Sequence, residues 1–340
     1  MTTIYDIAKK ANVSAMTVSK VINNTGSISL KTKARIKRVM EELNYVPNQM
    51  ARGLVLQQTR QLFLLITDIN NPFYTTLSRG AEDAAKEKGY RLSFGNSDEN
   101  IEKEGEYLEI ILGNRVAGVL FSPAGDQSVS HLETLQRHKV PFVLLDREVP
   151  GIESDAVIGD SREGARRIVE HFIENGHRHI ALINGSPGIS SARLRHQGYI
   201  EAHKLNDLPV QESYHLAFGY GSQTDLSGIM TWLNSLNPRP TAIMAGNNVL
   251  GVEVIRAIRD SGLRVPEDIS VACFDDLGPF SQISPFLTVV TQQAYEFGYL
   301  GTQLLIERIE KKDENRPFRR INLPVELVPR KSVARLGTST

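Results

Sequence analysis

Between residues 61 and 291, short and nearly unbroken apolar runs alternate with amphipathic helical stretches, and this rhythm restricts the fold more than anything else in the chain. The runs are QLFLLIT, YRLSFGN, VAGVLFS, PFVLLD, HIALING, TAIMAG and ISVACFDD. Helical patterns fall between them at about 79–88, 102–112, 163–174, 193–203 and 250–260. A strand that is apolar on both faces must be covered on both faces, which is the condition of a parallel sheet flanked by helices. The rhythm runs once to PFVLLD and restarts after Asp155-Ala-Val-Ile, so two α/β subdomains around a cleft are expected.

Ligands of such sheets bind outside the carboxyl ends of the strands. There the chain places polar side chains. Asp68 and Asn70 to Tyr74 follow the first run, and Asp146 and Arg147 follow PFVLL. Ser190, Ser191 and Arg195 follow HIALING, Asn247 and Asn248 follow AIMAG, and Asp275 and Asp276 follow VACF. Carboxylate, guanidinium and amide groups offer paired donors and acceptors to adjacent hydroxyls, and Phe73 or Tyr74 can cover a sugar ring face. Asn71, before Pro72, and Ser161 also qualify as helix caps.

The first 60 residues differ in kind. They hold ten Lys and Arg against three acids, a balance of +7, whereas the remainder holds 29 basic and 36 acidic side chains, −7. A basic module on an acidic body is the footprint of a protein that meets nucleic acid at one end. Ile4, Ile7, Ala8 and Ala11 recur at helical spacing, Asn12 and Val13 form a turn, and Ser14 can cap a second helix with Val18, Val21 and Ile22 inward. A third helix spans about 31–43. Two helices joined by a tight turn make a helix-turn-helix, whose second helix enters the major groove. Ala15 and Met16 can touch thymine methyls and Lys20 can reach guanine. Thr17, Ser19 and Asn23 have the reach of phosphate ligands. Ser14, Tyr45, Asn48, Ala51 and Val55 complete the candidate DNA-facing set.

TIYDIAKKANVSAMTVSKVINN, followed by LNYVPNQMARGL, resembles the DNA-binding headpiece and hinge of the lactose/galactose repressor (LacI/GalR) family, and later segments carry the resemblance to the C-terminus. The resemblance implies a helix-turn-helix headpiece at 1–47, a hinge helix and linker at 48–60, and a type I periplasmic-binding-protein-like core at 61–340. Crossovers near Ser161, Gln292 and Leu323 would divide the core into subdomain one (about 61–160 and 292–322) and subdomain two (about 161–291 and 323–340). In the family the hinge folds only when two copies pair on the operator. The leucine matching Leu54 is then wedged into the minor groove, trading base unstacking for a kink. Arg195 and Asp275 match the family's most persistent effector ligands. Asp146, Asn247 and Gln292 match others, and Asn71, Phe73, Tyr74, Arg147, Ser191 and Phe218 belong to the same candidate set. Asn12, Lys20, Gly53, Asn248 and Thr291 depart from the common pattern, where Gly, Arg, Ser, an acid and Arg are usual.

Enzyme classes find no support: there is no phosphate loop, no G-x-S-x-G and no dinucleotide fingerprint. His177 and His179 flank Arg178 without an acid or Cys partner, so no metal and no cofactor is expected. The lone Cys273, the lack of a signal peptide and the lack of a membrane-length apolar run fit a cytoplasmic protein. The expectation is therefore a homodimeric transcriptional regulator of the repressor type that binds a pseudo-palindromic operator and is switched by a small sugar or sugar derivative. The tail RKSVARLGTST has no leucine heptads for a further tetramer. A purine-responsive or phosphocarrier-responsive repressor, or a solute-binding protein, are the alternatives.

Overall fold

The computed structural model describes residues 2–23, 25–45, 59–220, 228–311 and 316–337. The chain separates into two compact units, Met1–Thr59 and Arg60–Thr340.

The first unit contains α1 (Ile4–Ala11), α2 (Ala15–Ile22) and α3 (Leu30–Glu42). Each start is fixed by a hydroxyl side chain, from Thr3, Ser14 and Ser29 in turn, that accepts from a backbone N–H of the first turn. Thr3 and Asp6 cap each other reciprocally. α1 ends because Asn12 turns into the left-handed region (φ 48°), a conformation Asn adopts at modest cost. The three helices bury Ile7, Ala8, Ala11, Val18, Ile36 and Val39 against one another. The hinge residues Asn48, Ala51, Leu54 and Val55 lie outside the described residues.

The second unit holds two six-stranded sheets. Lobe one contains β1 (Gln61–Ile66), β2 (Arg91–Asn96), β3 (Gly118–Phe121), β4 (Phe142–Leu145), β5 (Asp155–Gly159) and β11 (Arg320–Leu323), in the order β11-β5-β4-β3-β1-β2, all parallel. Lobe two contains β6 (Ile180–Gly185), β7 (His215–Phe218), β8 (Ala242–Ala245), β9 (Ser270–Phe274), β10 (Thr288–Gln292) and β12 (Val325–Val328), in the order β12-β10-β9-β8-β6-β7. Only β12 runs antiparallel to its neighbour, β10. Strands β3, β4, β5, β6, β8 and β9 are buried along their whole length, as the continuous apolar runs require. The chain passes between lobes after β5, after β10 and between β11 and β12.

Helices α4 (Pro72–Glu87), α5 (Ile101–Gly113), α6 (Val129–Arg137), α7 (Ser161–Glu174), α8 (Ser190–Leu205), α9 (Ile229–Ser235), α10 (Asn248–Asp260) and α11 (Ala294–Lys311) cover the sheet faces. Several begin earlier than apolar spacing predicts, because their starts are set by caps and cleft-lining residues rather than by the apolar stripe. α4 is the clearest case. It begins at Pro72 rather than near residue 79, with proline at the first helical position and Asn71 Oδ1 accepting from Phe73 N. α6, α9 and α11 have no counterpart among the expected helices. α11 packs against α4 so closely that a Cβ on Gly298 would lie 1.9 Å from Leu77 O, and one on Gly80 would lie 2.0 Å from Tyr295 O.

Candidate functional site

At the C-terminal ends of β4 and β9 stand Asp146 and Asp275, one in each lobe, both with φ 65°. Non-glycine residues at positive φ are uncommon and mark sites where the surrounding structure fixes the backbone. Here the N–H of Asp146 donates to Val157 O and that of Asp275 to Val290 O, which bends each chain and turns its carboxylate into the cleft. The cavity so formed is lined by Asp68, Asn71, Phe73, Tyr74, Glu99, Asp146 and Arg147 from lobe one. Ser191, Arg195, Tyr220, Asn247 and Asp275 line it from lobe two. Its free volume is about 20 Å³, hardly more than one ordered water needs, so a ring-sized ligand requires the lobes or the side chains to move apart.

The two guanidiniums are held differently. Arg147, 3% exposed, forms a bidentate pair with Glu99 (2.6 and 2.7 Å) and also donates to Pro123 O. Arg195, equally buried, donates to Gly246 O at 2.6 Å and to Tyr220 Oη at 3.3 Å, and lies over the Phe274 ring at 4.1 Å. Tyr220 stands between the two cations, 5.8 Å from each, and donates to Asn184 Oδ1 at 2.7 Å. Burial pushes the Asp275 carboxyl up to about 6, against the opposing pull of Arg195 and of Gln292, whose Nε2 donates at 3.0 Å. Asp68 is raised as well, by burial first and then by neighbouring Glu99 and Asp98. Several polar atoms here are buried without a hydrogen-bond partner: Asp68 Oδ2, Ser191 Oγ, and the Nε of both Arg147 and Arg195, that of Arg147 lying 3.5 Å from Asp146 Oδ2. In a folded protein such atoms call for an explanation, and a polar ligand supplies one.

Asn71 and Asn248 face each other across the cleft, with Asn248 Nδ2 donating to Asn71 Oδ1 (3.0 Å) and to Asp276 O. Further links join the lobes: Arg193 to Asp126 (2.7 and 3.1 Å), Asp126 N to Gly188 O (2.8 Å) and Glu148 N to Ser190 Oγ (2.9 Å). Asn248, where an acid is common in the family, therefore acts on the partner lobe.

Most of the residues expected at strand ends line this one cavity, and Gln292 reaches it through Asp275. Phe218 does not. It sits half-buried on the edge strand β7, packed against the apolar cluster of lobe two, and the ring that enters the cavity is Tyr220. Tyr220 and Glu99 were missed by sequence reasoning. Glu99 stands three residues past the end of β2 and could have been found by the strand-end rule; Tyr220 follows β7, an edge strand too weakly patterned to be read as one. His177 is a packing residue, with Nε2 donating to Ala334 O and Nδ1 facing Thr241 Oγ1. Among the described residues no three His, Cys, Asp or Glu side chains are placed to hold a metal ion.

In the N-terminal unit, Met16 is 70% exposed at the start of α2 and Lys20 is exposed one turn on. Ala15, Thr17 and Ser19 are half-buried beside them. Ser14 Oγ is occupied as a cap for Thr17 N, and Ser19 Oγ accepts from Asn23 Nδ2 at 3.2 Å. Tyr45 packs partly buried against the small core. Tyr5, 73% exposed on α1, is a further side chain free to reach a surface.

Residues 3–48 match the model of bacterial regulatory proteins, lacI family, and residues 169–333 that of a periplasmic binding protein-like domain. The chain is 34% identical over 336 residues to the HTH-type transcriptional repressor PurR of Aliivibrio fischeri (strain MJ11), covering 98% of each chain. It is 33% identical over 335 residues to the ribose operon repressor of Halalkalibacterium halodurans, covering 98% of this chain and 97% of that one. Among solved structures, it resembles the lac repressor dimer bound to operator and the anti-inducer ONPF, with TM-score 0.80 and 28% identity over 98% of this chain and 99% of that one.

Proposed function

This chain belongs to the lacI family of bacterial regulatory proteins and is a DNA-binding transcriptional repressor with an effector-binding core, and on that premise we propose that its effector is a small polyhydroxylated sugar or sugar derivative bound between the lobes. The observation that carries the reading is the convergence of Asp146, Arg147, Arg195, Asn247 and Asp275 on one small cavity. Such groups pair donors and acceptors with vicinal hydroxyls. A ligand bridging both lobes shifts their relative orientation only by binding one orientation better than the other. That difference is the switch between operator-bound and free protein. The protein acts as a homodimer on a pseudo-palindromic operator in the cytoplasm, and Leu54 serves as a minor-groove wedge. Among the described residues no helix is long and apolar enough to cross a membrane. The reading is tested by titrating the protein calorimetrically with sugars, sugar acids and purines; purine binding with no sugar binding would overturn it.

Effector binding should depend on pH with a definite sign. Asp275 titrates at about 6 in the folded chain, above the ordinary 3.8. A hydroxyl that donates to this carboxylate favours its charged form, so affinity rises as pH increases through about 6 and levels off above. Calorimetry from pH 5 to 7.5 should show this rise, accompanied by proton release at the acid end. A flat profile would mean that Asp275 does not meet the ligand.

On the DNA side, Ala15, Met16 and Lys20 read bases while Thr17, Ser19 and Asn23 position the helix on phosphates. Lys20→Ala is expected to weaken the operator by about 1–3 kcal/mol, the range of one base-reading contact, and random DNA by less. Equal weakening of both would make Lys20 a phosphate contact.

A further inference from the structure

We infer that Glu99 is a specificity-determining residue of the effector site: by holding Arg147 in a bidentate pair, it makes the site reject anionic sugars. The inference rests on the sugar reading above and narrows it to uncharged or cationic effectors.

The geometry that delivers Glu99 is specific. Asp98 and Glu99 follow β2 with φ 52° and 57°, two consecutive non-glycine residues in the left-handed region. Glu99 N donates to Thr67 O at the end of the neighbouring strand β1, so the kink is tied to the sheet. Its carboxylate then meets both terminal nitrogens of Arg147, at 2.6 and 2.7 Å, while both side chains are nearly inaccessible to solvent. A guanidinium engaged on its forked edge is the geometry that would otherwise recognise a carboxylate or phosphate. The Nε–H of Arg147 makes no hydrogen bond and lies 3.5 Å from Asp146 Oδ2, which leaves it a donor suited to a hydroxyl oxygen.

The charge balance points the same way. Four carboxylates, Asp68, Glu99, Asp146 and Asp275, line the cavity against the two guanidiniums of Arg147 and Arg195, a formal balance of −2. A proton on any one of the acids still leaves −1. Helix N-termini are the usual remedy for binding anions in such folds; α8, which brings Ser191 to the cavity, starts without a side-chain cap, but the N-termini of α4 and α10 are already capped. Asn71 Oδ1 accepts from Phe73 N and Asn247 Oδ1 from Leu250 N. The buried and unpartnered Asp68 Oδ2 is a further acceptor, which a hydroxyl or an ammonium satisfies and an anion repels.

The test uses the full-length protein and matched pairs: D-ribose with ribose 5-phosphate, D-glucose with glucose 6-phosphate, and D-galactose with D-galacturonate. D-glucosamine is included as a cation. Whichever neutral sugar binds should bind at least tenfold more tightly than its anionic partner. In Glu99→Gln that ratio should narrow at least tenfold, because Arg147 is released to meet the anion. An anion that binds the wild type as well as its neutral parent overturns the assignment, as does an unchanged ratio in a folded Glu99→Gln. The wild-type ratio decides alone should that variant not fold. If no compound of the panel binds, the sugar reading itself fails and this assignment falls with it; if a neutral sugar binds and its anion binds equally, only the role of Glu99 is lost.

Discussion

Asp275→Ala is expected to lower effector affinity by roughly 10- to 150-fold, the span of one charge-assisted hydrogen bond of about 1.5–3 kcal/mol, while operator binding without effector stays near normal. Asp275 faces the cavity from the end of β9, opposite Arg195, and Gln292 is its only neutral partner at hydrogen-bond distance among those described. Arg195→Ala should lose at least as much. It removes a cation whose Nε has no protein partner, so a ligand group is the natural acceptor. Calorimetry with the identified effector checks both, and unchanged affinity in both variants would place the effector site elsewhere.

Asp275 also allows binding to be separated from folding. Its carboxyl titrates near 6 when folded and near 3.8 when not, so the folded chain holds the proton more tightly. Between those two values stability therefore falls as pH rises, and above about 6 the ionised group costs on the order of 3 kcal/mol. Asparagine tolerates the left-handed backbone required here and carries no charge. Asp275→Asn should therefore melt no lower than the wild type at pH 7 while binding effector less tightly, as expected of a group held for function at a cost in stability.

The second large effect is on stability. Gly298→Val would place a Cβ 1.9 Å from Leu77 O and 2.7 Å from Ala81 N. Both are backbone atoms of α4, so no rotamer change relieves the clash and the helices must separate. The separation would open the apolar cluster that holds Leu77, Ala81, Phe297 and Leu305. A loss of about 3–5 kcal/mol is expected, at or beyond the upper end of overpacking costs, which for a core of this size lowers the melting temperature by roughly 10 °C. Gly113→Ala is the control. Nothing lies within 4 Å of a Cβ there, and alanine is the better helix former by up to about 1 kcal/mol. Scanning calorimetry showing Gly298→Val within a degree of the wild type would disprove the close-packing account.

Sequence by itself determined the class of fold and the kind of protein. Unbroken apolar strands force parallel sheets covered on both faces, and the polar residues at their ends mark where a ligand can bind. The caps at Ser14 and Asn71 and the left-handed turn at Asn12 are local chemistry, legible because each depends on two or three neighbours. Helix α11 was not legible, since Gly298 and Gly301 weaken its helical pattern and find their reason only in the approach of α4 and of Leu145. Only the tertiary structure decided which polar groups face the cavity and which face each other. Asn248 turns to Asn71 across the cleft. Glu99 neutralises an arginine 48 positions away, and Tyr220, not Phe218, supplies the ring between the guanidiniums. Periodicity reports the burial of a residue, whereas partnership depends on strand order, on positive-φ kinks and on the meeting of the two lobes, none of which is a local property of the chain.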